Sequence, residues 1–333
     1  MKDRSFVIPV LDFSPASKFN IKTLLDDLEE IEGEVIIVFN SKEVAEEIKN
    51  HRRIDFYAIL NCNVGVPRAW NIGLDISRTD VTFILNSDLN VRKEAIENLE
   101  KFLKSTYDAA IVAPQGSYHN YFAHKDHMYF GKMALKKPTA VDAISGFFFA
   151  VKTGLFNNKI LKFESKYTPC YFEEWDMGLQ VKLAGLKSYV VPTDGYEHEW
   201  GGSIRALSFI EYYDRKINRD EIHLRNSKIF ENKWNKIFEE ESKKGYSELL
   251  VSYWADMKIA QVNELLSENN ILEAKKNCEE LITVYPIYKW GYYILGKIYQ
   301  FENNVKGAKS NFLDAVKLDA NFTEAKIELE KLS

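Results

Sequence analysis

Asp80-Val81-Thr82-Phe83-Ile84-Leu85-Asn86-Ser87-Asp88-Leu89-Asn90-Val91 is the stretch on which the reading of this chain turns. Val81 to Leu85, all β-branched or apolar, run into a polar cluster, and a helical pattern starts near Arg92. A short apolar run bounded by polar residues predicts a buried strand. Asp88 and Asn90 are two positions apart, so in extended chain both side chains leave on one face. An acid and an amide oxygen at the carboxyl end of a buried strand have the chemistry to hold a hard cation. The same residues also make an ordinary turn and N-cap, and the stretch alone favours that plainer reading.

Upstream, Ser5 to Val10 is apolar and β-rich, and it ends in the loop Leu11-Asp12-Phe13-Ser14-Pro15. Asn20 to Glu30 places Ile21, Leu24, Leu25 and Leu28 at helical spacing, with Gly33 closing the helix. Strands are expected at 34–39 and 56–60, helices over 42–50 and within 61–77. Strands alternating with helices of about ten residues predict βαβ units, hence an α/β fold with a mostly parallel sheet. Ligands bind at the carboxyl ends of such strands, where Asp12, Asn40, Asn63 and Asp88 would gather.

Downstream comes a strand at Ala109 to Ala113, a loop rich in Tyr and His, and a return at 143–151. The small pair Ser145-Gly146 there allows close backbone approach or a simple bend. Tyr171-Phe172-Glu173-Glu174-Trp175-Asp176-Met177 opens a helix, and acids in its first turn suit the macrodipole in any case. A strand at Ser188 to Val191 precedes Glu197-His198-Glu199-Trp200-Gly201-Gly202-Ser203.

Size and charge limit the alternatives. The 333 residues suffice for two domains, and the hydrophobic and charged shares, 46% and 28%, are those of a globular protein. Forty-four basic against 49 acidic residues give a net charge of -5 and no basic stripe, so nucleic acid is not an expected partner. Cys62, Cys170 and Cys278 are too scattered for a disulfide framework or a metal-binding pair, which points to a reducing compartment. No apolar run reaches bilayer length and no signal core is visible. The expected location is cytoplasmic, with peripheral contact at the inner face of the membrane left open.

Taken together and in order, these pieces resemble the inverting GT-A glycosyltransferases of family 2, in their rhamnosyltransferase-like branch. Four motifs carry the resemblance over roughly the first 235 residues. Asn63-Val64-Gly65-Val66-Pro67-Arg68-Ala69-Trp70-Asn71-Ile72-Gly73 matches the loop-helix motif, and Asn86-Ser87-Asp88-Leu89-Asn90 matches the strand end that resembles Asp-x-Asp. Glu173-Glu174-Trp175-Asp176-Met177 with Lys182-Leu183-Ala184-Gly185 matches the acidic motif and its helix, and His198-Glu199-Trp200-Gly201-Gly202-Ser203 matches the closing motif. Phe230-Glu231-Asn232-Lys233-Trp234 is similar to the Phe-x-x-Lys-Trp that ends many such domains.

The resemblance implies a nucleotide-sugar donor and transfer with inversion. It places donor contacts at Pro9, Asp12, Asn40, Asn63, Gly65, Arg68, Asn71, Ser87 and Gly146. It implies a divalent ion, Mn²⁺ or Mg²⁺, held by Asp88, Asn90 and His198, the mixed oxygen and imidazole set suiting Mn²⁺ better. The base would be Glu174, then Asp176, with Glu173 the third candidate. Two departures stand out: Asn40 where an acid usually reads the base, and Glu174 where Asp is usual. The acceptor is a glycan, a lipid-linked glycan or a polypeptide.

Beyond Gly245 a period appears: Ala274 and Ala308, Cys278 and Phe312, and Leu281 and Ala315 are each 34 apart. The offsets resemble a tetratricopeptide repeat, clear over 289–322 and degenerate over 255–288, with a capping helix at 323–332. The expected organisation is a GT-A domain at 1–205, a helical extension at 206–252 and repeats at 253–333. Such repeats bind acceptor or a protein partner, or only dimerise or brace the enzyme. The competing reading is a catalytically inactive glycosyltransferase-like scaffold whose repeats mediate protein–protein interaction. A sugar nucleotidyltransferase is disfavoured, because Pro9-Val10-Leu11-Asp12-Phe13 lacks the Gly-rich loop of that class.

Overall fold

The computed structural model describes residues 2–14, 17–121, 123–198, 208–213, 215–249 and 251–332. Strands β1 (Arg4–Val10), β2 (Glu34–Phe39), β3 (Phe56–Ile59) and β4 (Val81–Leu85) alternate with helices α1 (Ile21–Asp27), α2 (Lys42–Ile48) and α3 (Val66–Ile76). After β4 come β5 (Leu89–Val91), α4 (Lys93–Ser105), β6 (Ala109–Ala113), β7 (Gly116–Asn120), β8 (Lys125–Phe130), β9 (Thr139–Val141) and β10 (Ala143–Ile144). Then follow β11 (Phe148–Lys152), α5 (Thr153–Asn157), α6 (Glu173–Leu183), β12 (Lys187–Val190), β13 (Tyr196–His198), β14 (Phe209–Tyr212) and β15 (Arg215–Asn218). Helices α7 (Arg219–Lys243), α8 (Tyr253–Ser267), α9 (Ile271–Val284), α10 (Lys289–Phe301), α11 (Val305–Leu318) and α12 (Thr323–Lys331) complete the chain.

The chain divides into two units, 1–119 with 128–233, and 120–127 with 234–333. In the first, eight strands form one sheet in the order β3-β2-β1-β4-β11-β6-β12-β9. β1 pairs in parallel with both β2 and β4, and β2 with β3, as short βα crossovers require. β11 runs antiparallel to β4 and β6, so the sheet is mostly but not wholly parallel. Alternation along the strands sorts the two faces. Phe6, Ile8, Val10, Val35, Ile37, Phe39, Phe83 and Leu85 pack on α1, α2 and α4, while Val7 meets Gly73 of α3. The expected α/β layering is therefore present.

Three local expectations change. The helix expected over 20–30 is α1 closed by a 3₁₀ turn, Leu28–Glu30, and is opened by Asn20 and Thr23 in a reciprocal capping box. The chain does not pass from β4 straight to a helix: β5 intervenes and pairs antiparallel with β13, Leu89 opposite His198 and Asn90 opposite Glu197. Leu89 and Val91 bury their side chains there, at 0% and 2% exposure, which a turn would not do. The segment expected to be a helical extension from 206 opens with the β14–β15 hairpin, whose Ile210 is buried against Cys170 and Ile222.

In the second unit α8 to α12 each pack against the next in sequence. Ala274, Cys278, Leu281, Ala308, Phe312 and Ala315, the positions of the 34-residue period, are all fully buried. Asn270 and Asn304 cap α9 and α11 in the same way, each side chain accepting from the backbone three residues on. Among the described residues, no helix is long and apolar enough to cross a membrane.

Candidate active site

Because β2, β1 and β4 are neighbouring parallel strands, their carboxyl ends open on one edge of the sheet. Asp12, Asn40 and Asp88, each at or just past one of these ends, border a single cavity of about 570 Å³ with Pro9, Asn63, Gly65 and Ser87. The walls are built by backbone bonds. Asp12 Oδ1 accepts from the Ser14 amide at 2.7 Å, and Asn40 Oδ1 accepts from the Val64 amide at 3.1 Å. Asn63 accepts from the Gly65 amide at 2.9 Å and donates to the Glu211 carbonyl at 2.7 Å. Gly65 opens α3 at φ 84° and ψ 165°, a region that is essentially glycine's alone. A Cβ there would stand 2.6 Å from Pro169 Cα.

Asp88 is 5% exposed, and its Oδ1 lies 3.3 Å from His198 Nε2. The His198 ring stacks on Phe147 at 4.3 Å between centroids. The β5–β13 pairing brings these two residues together across 110 positions of sequence. A carboxylate oxygen and an imidazole nitrogen at this separation suit shared ligation of one cation, since donors about 2.1 Å from an ion at right angles stand about 3 Å apart. Asn90 does not join them. Its amide nitrogen donates to Asp27 Oδ2 at 2.9 Å, and Asp27 also takes the Val91 amide at 3.1 Å. Burial, opposed by those two bonds, nonetheless raises the Asp27 carboxyl above its ordinary range. The remainder of the closing motif, 199–203, lies outside the described residues.

The three acids of α6 occupy three different environments. Asp176 is fully buried and saturated: Lys233 Nζ donates to both oxygens at 2.7 and 2.9 Å, Gln180 donates at 2.6 Å and the Tyr167 hydroxyl at 3.1 Å. A base needs a lone pair facing its proton, so Asp176 is corrected from alternative base to structural anion. Glu173 is 4% exposed, and its Oε2 is buried without a hydrogen-bond partner. Burial first, then the charge of Glu174, pushes the Glu173 carboxyl well above the carboxylate range. Glu174, half-buried, lies against bare Gly146: a Cβ on that glycine would meet Glu174 Oε1 at 2.5 Å.

Gly146 therefore receives a side chain of this protein instead of bordering the cavity. Its neighbour Phe147 accepts from the Asn86 amide at 2.8 Å, so Glu174 lies close behind the cavity wall. Asn71 is likewise corrected: its amide donates to the Phe163 carbonyl at 2.7 Å and accepts from the Phe163 amide at 3.2 Å, which pins α3 rather than a ligand. Arg68 donates to the Tyr213 hydroxyl at 2.5 Å and is not among the cavity's lining residues. Helix periodicity put both on the first turns of α3 without saying which way each side turns. Residues not singled out from sequence also line the cavity: Lys42, Glu43 and Cys62. The strand-end rule, extended three positions past Asn40, would have found the first two.

Residues 5–162 match the family model described as Glycosyl transferase family 2. The matched segment begins in β1, runs through α5 and includes Asp88. No curated protein matches the chain. Among solved structures, the 1–349 fragment of TarS from S. aureus is 15% identical, with 59% of each chain covered and a TM-score of 0.43. The same fragment in complex with UDP gives 14%, 59% of each chain and 0.42. GalNAc-T7 with UDP, GalNAc and Mn²⁺ gives 13%, 61% of this chain, 45% of that one and 0.47. The chain thus covers 45 to 59% of the length of these proteins.

Proposed function

We propose that this chain transfers a sugar from a nucleotide-sugar to a hydroxylated acceptor, with inversion at the anomeric carbon. The carrying observation is the cavity at the ends of β1, β2 and β4, strands that lie in the family-matched segment, with the lining Asp88 beside His198. Charge supports a metal-assisted donor site. Asp12, Glu43, Asp88 and Glu211 line the cavity against one cation, Lys42. A nucleoside diphosphate entering so acidic a cleft needs a counter-cation. Asp88 and His198 would hold it, and a divalent ion there supplies Lewis-acid neutralisation of the leaving diphosphate, the mixed ligand set favouring Mn²⁺.

The chain's own residues divide the remaining work. Asn40 and Asn63, fixed by backbone bonds, form the wall expected to meet the nucleoside. Glu174 is the base: the Asp176 oxygens are taken up by Lys233, Gln180 and Tyr167, and burial pushes the Glu173 carboxyl well above the carboxylate range. One base suffices for a single displacement. Asn86-Ser87-Asp88 supports the rhamnosyltransferase-like branch, and the 34-residue period with its repeated Asn caps supports tetratricopeptide-like repeats at 253–333 that bind acceptor or a protein partner.

The test is nucleotide release from a panel of nucleotide-sugars with Mn²⁺ or Mg²⁺. Wild type is expected to turn over at least one donor, Asp88→Ala to lose metal-dependent nucleotide binding, and Glu174→Gln to bind but not turn over. If no donor gives metal-dependent binding or release, the reading is wrong and the inactive-scaffold alternative replaces it.

A further inference from the structure

Strand β3, at one end of the eight-stranded sheet, has an open outer edge: among the described residues it pairs with β2 alone. The Leu60 amide, one residue past the strand, donates to the Phe39 carbonyl of β2 at 2.9 Å. Backbone directions alternate along a strand, so Ala58 also faces β2, while Tyr57 and Ile59 turn their amides and carbonyls outward. The side chains there are exposed and apolar: Phe56 at 48%, Tyr57 at 47% and Ile59 at 37%. Edges of this kind are ordinarily blunted by lysine or proline. The opposite edge, β9, follows Lys136-Lys137-Pro138, whereas Asp55-Phe56-Tyr57-Ala58-Ile59-Leu60 contains neither residue type.

A second copy of this chain answers that edge. When a twofold axis stands perpendicular to a sheet, each side chain keeps its face, so opposed residues lie an even number of positions apart. With the axis at Ala58, Tyr57 stands opposite the partner subunit's Ile59 on one face, and Phe56 opposite the partner subunit's Leu60 on the other. Both are aromatic–aliphatic pairs, which stabilise antiparallel neighbours. The outward amides and carbonyls of Tyr57 and Ile59 then exchange hydrogen bonds in pairs at each end of the seam. An axis at Tyr57 would instead set the Asp55 carboxylate opposite Ile59 and spend Phe56 on Ala58. Charge does not oppose the pairing about Ala58. Asp55 is bound by Lys2 at 2.8 Å and Arg53 at 3.1 Å, and it falls opposite the neutral Asn61.

We infer that β3 joins two copies of this chain edge to edge, antiparallel about Ala58, into a dimer with one continuous sheet. This is independent of the transferase reading, since the seam needs neither donor nor metal. The half-exposed rings of Phe56 and Tyr57 each keep on the order of 100 Å² open. With Ile59 and Leu60 included, two copies cover roughly 600–800 Å², a size that gives a reversible dimer and not a permanent one. A foreign strand would take the hydrogen bonds but lack the side-chain matches that symmetry supplies twice. Growth stops at two copies, because the far edge of each sheet is guarded by Lys136, Lys137 and Pro138.

Sedimentation velocity of the full chain from about 1 to 200 µM should show a monomer–dimer equilibrium. Tyr57→Lys/Ile59→Lys sets lysine opposite lysine at both ends of the seam, and should weaken the dimer at least about tenfold while the circular dichroism of the fold stays in place. Tyr57→Glu/Ile59→Glu should do the same alone, and an equimolar mixture of the two variants should dimerise again, which misfolded chains would not. Cross-linking by copper phenanthroline in air reads the register. Ala58→Cys should form an intermolecular disulfide beyond the wild-type background, because opposed Cα atoms about 4.5–5.5 Å apart are within reach. Leu60→Cys lies on the same face but more than about 13 Å from its own counterpart, and should not. A monomer at every concentration, a dimer unmoved by both charge variants, or equal cross-linking at positions 58 and 60 overturns the seam.

Discussion

Removing the Lys233 ammonium should destabilise the first unit through a charge nearly 60 residues away in sequence. Asp176 has no exposed surface, and its carboxylate is held by Lys233, Gln180 and Tyr167. In Lys233→Met the two neutral donors remain, but the buried carboxylate loses the ammonium that donates to both of its oxygens. Breaking a buried pair by deleting one partner costs about 3–5 kcal/mol. Lys233 is 28% exposed, so water can partly replace it, and the lower end, about 3 kcal/mol, applies. For a unit of this size that corresponds to a fall of roughly 6–12 °C in Tm. Urea and thermal unfolding of the full chain, followed at a signal from the first unit, measure it. The double variant Lys233→Met/Asp176→Asn should recover part of the loss, because the uncompensated charge has gone. A loss below about 1 kcal/mol for the single variant, or strict additivity in the double, would refute the account of Asp176 as a structural anion.

Other substitutions probe the site and its supports. Asp88→Asn should leave folding intact and lower kcat/KM on the order of 100-fold or more, read as loss of metal-dependent turnover with an unchanged unfolding midpoint. Gly65→Ala forces a side chain into a backbone region with φ 84° and against Pro169, so a cost of about 3 kcal/mol is expected in chemical denaturation. Glu173→Gln carries a pH signature. The folded-state pKa is raised by burial, so the wild-type contribution is whole below the ordinary carboxylate range and is lost as pH rises through the raised value. The variant should therefore gain on wild type as pH climbs from about 4 toward neutrality, and a stability difference that is flat with pH would contradict a buried, protonated Glu173.

The α/β framework was legible in the chain because it rests on local periodicity. Val81 to Leu85, the runs at 5–10 and 34–39 and the amphipathic helices between them carry their own burial pattern, and short βα crossovers leave little choice of topology. The strand-end rule likewise gathered Asp12, Asn40, Asn63 and Asp88 before any contact was known, and all four border one cavity. Side-chain direction and long-range pairing were not legible. Asn90 shares a strand with Leu89 yet is spent on Asp27, Asn71 is spent on Phe163, and Asp176 on Lys233, because each partner is 57 to 92 positions away and no local period encodes it. The same holds for what was gained: β13 lies beside β5 only in the folded chain, and that pairing sets His198 against Asp88. Sequence by itself determined which residue types stand at the ends of the strands. Tertiary structure decided which of them keep a lone pair or a proton for chemistry, since that depends on the partners each side chain finds across the fold.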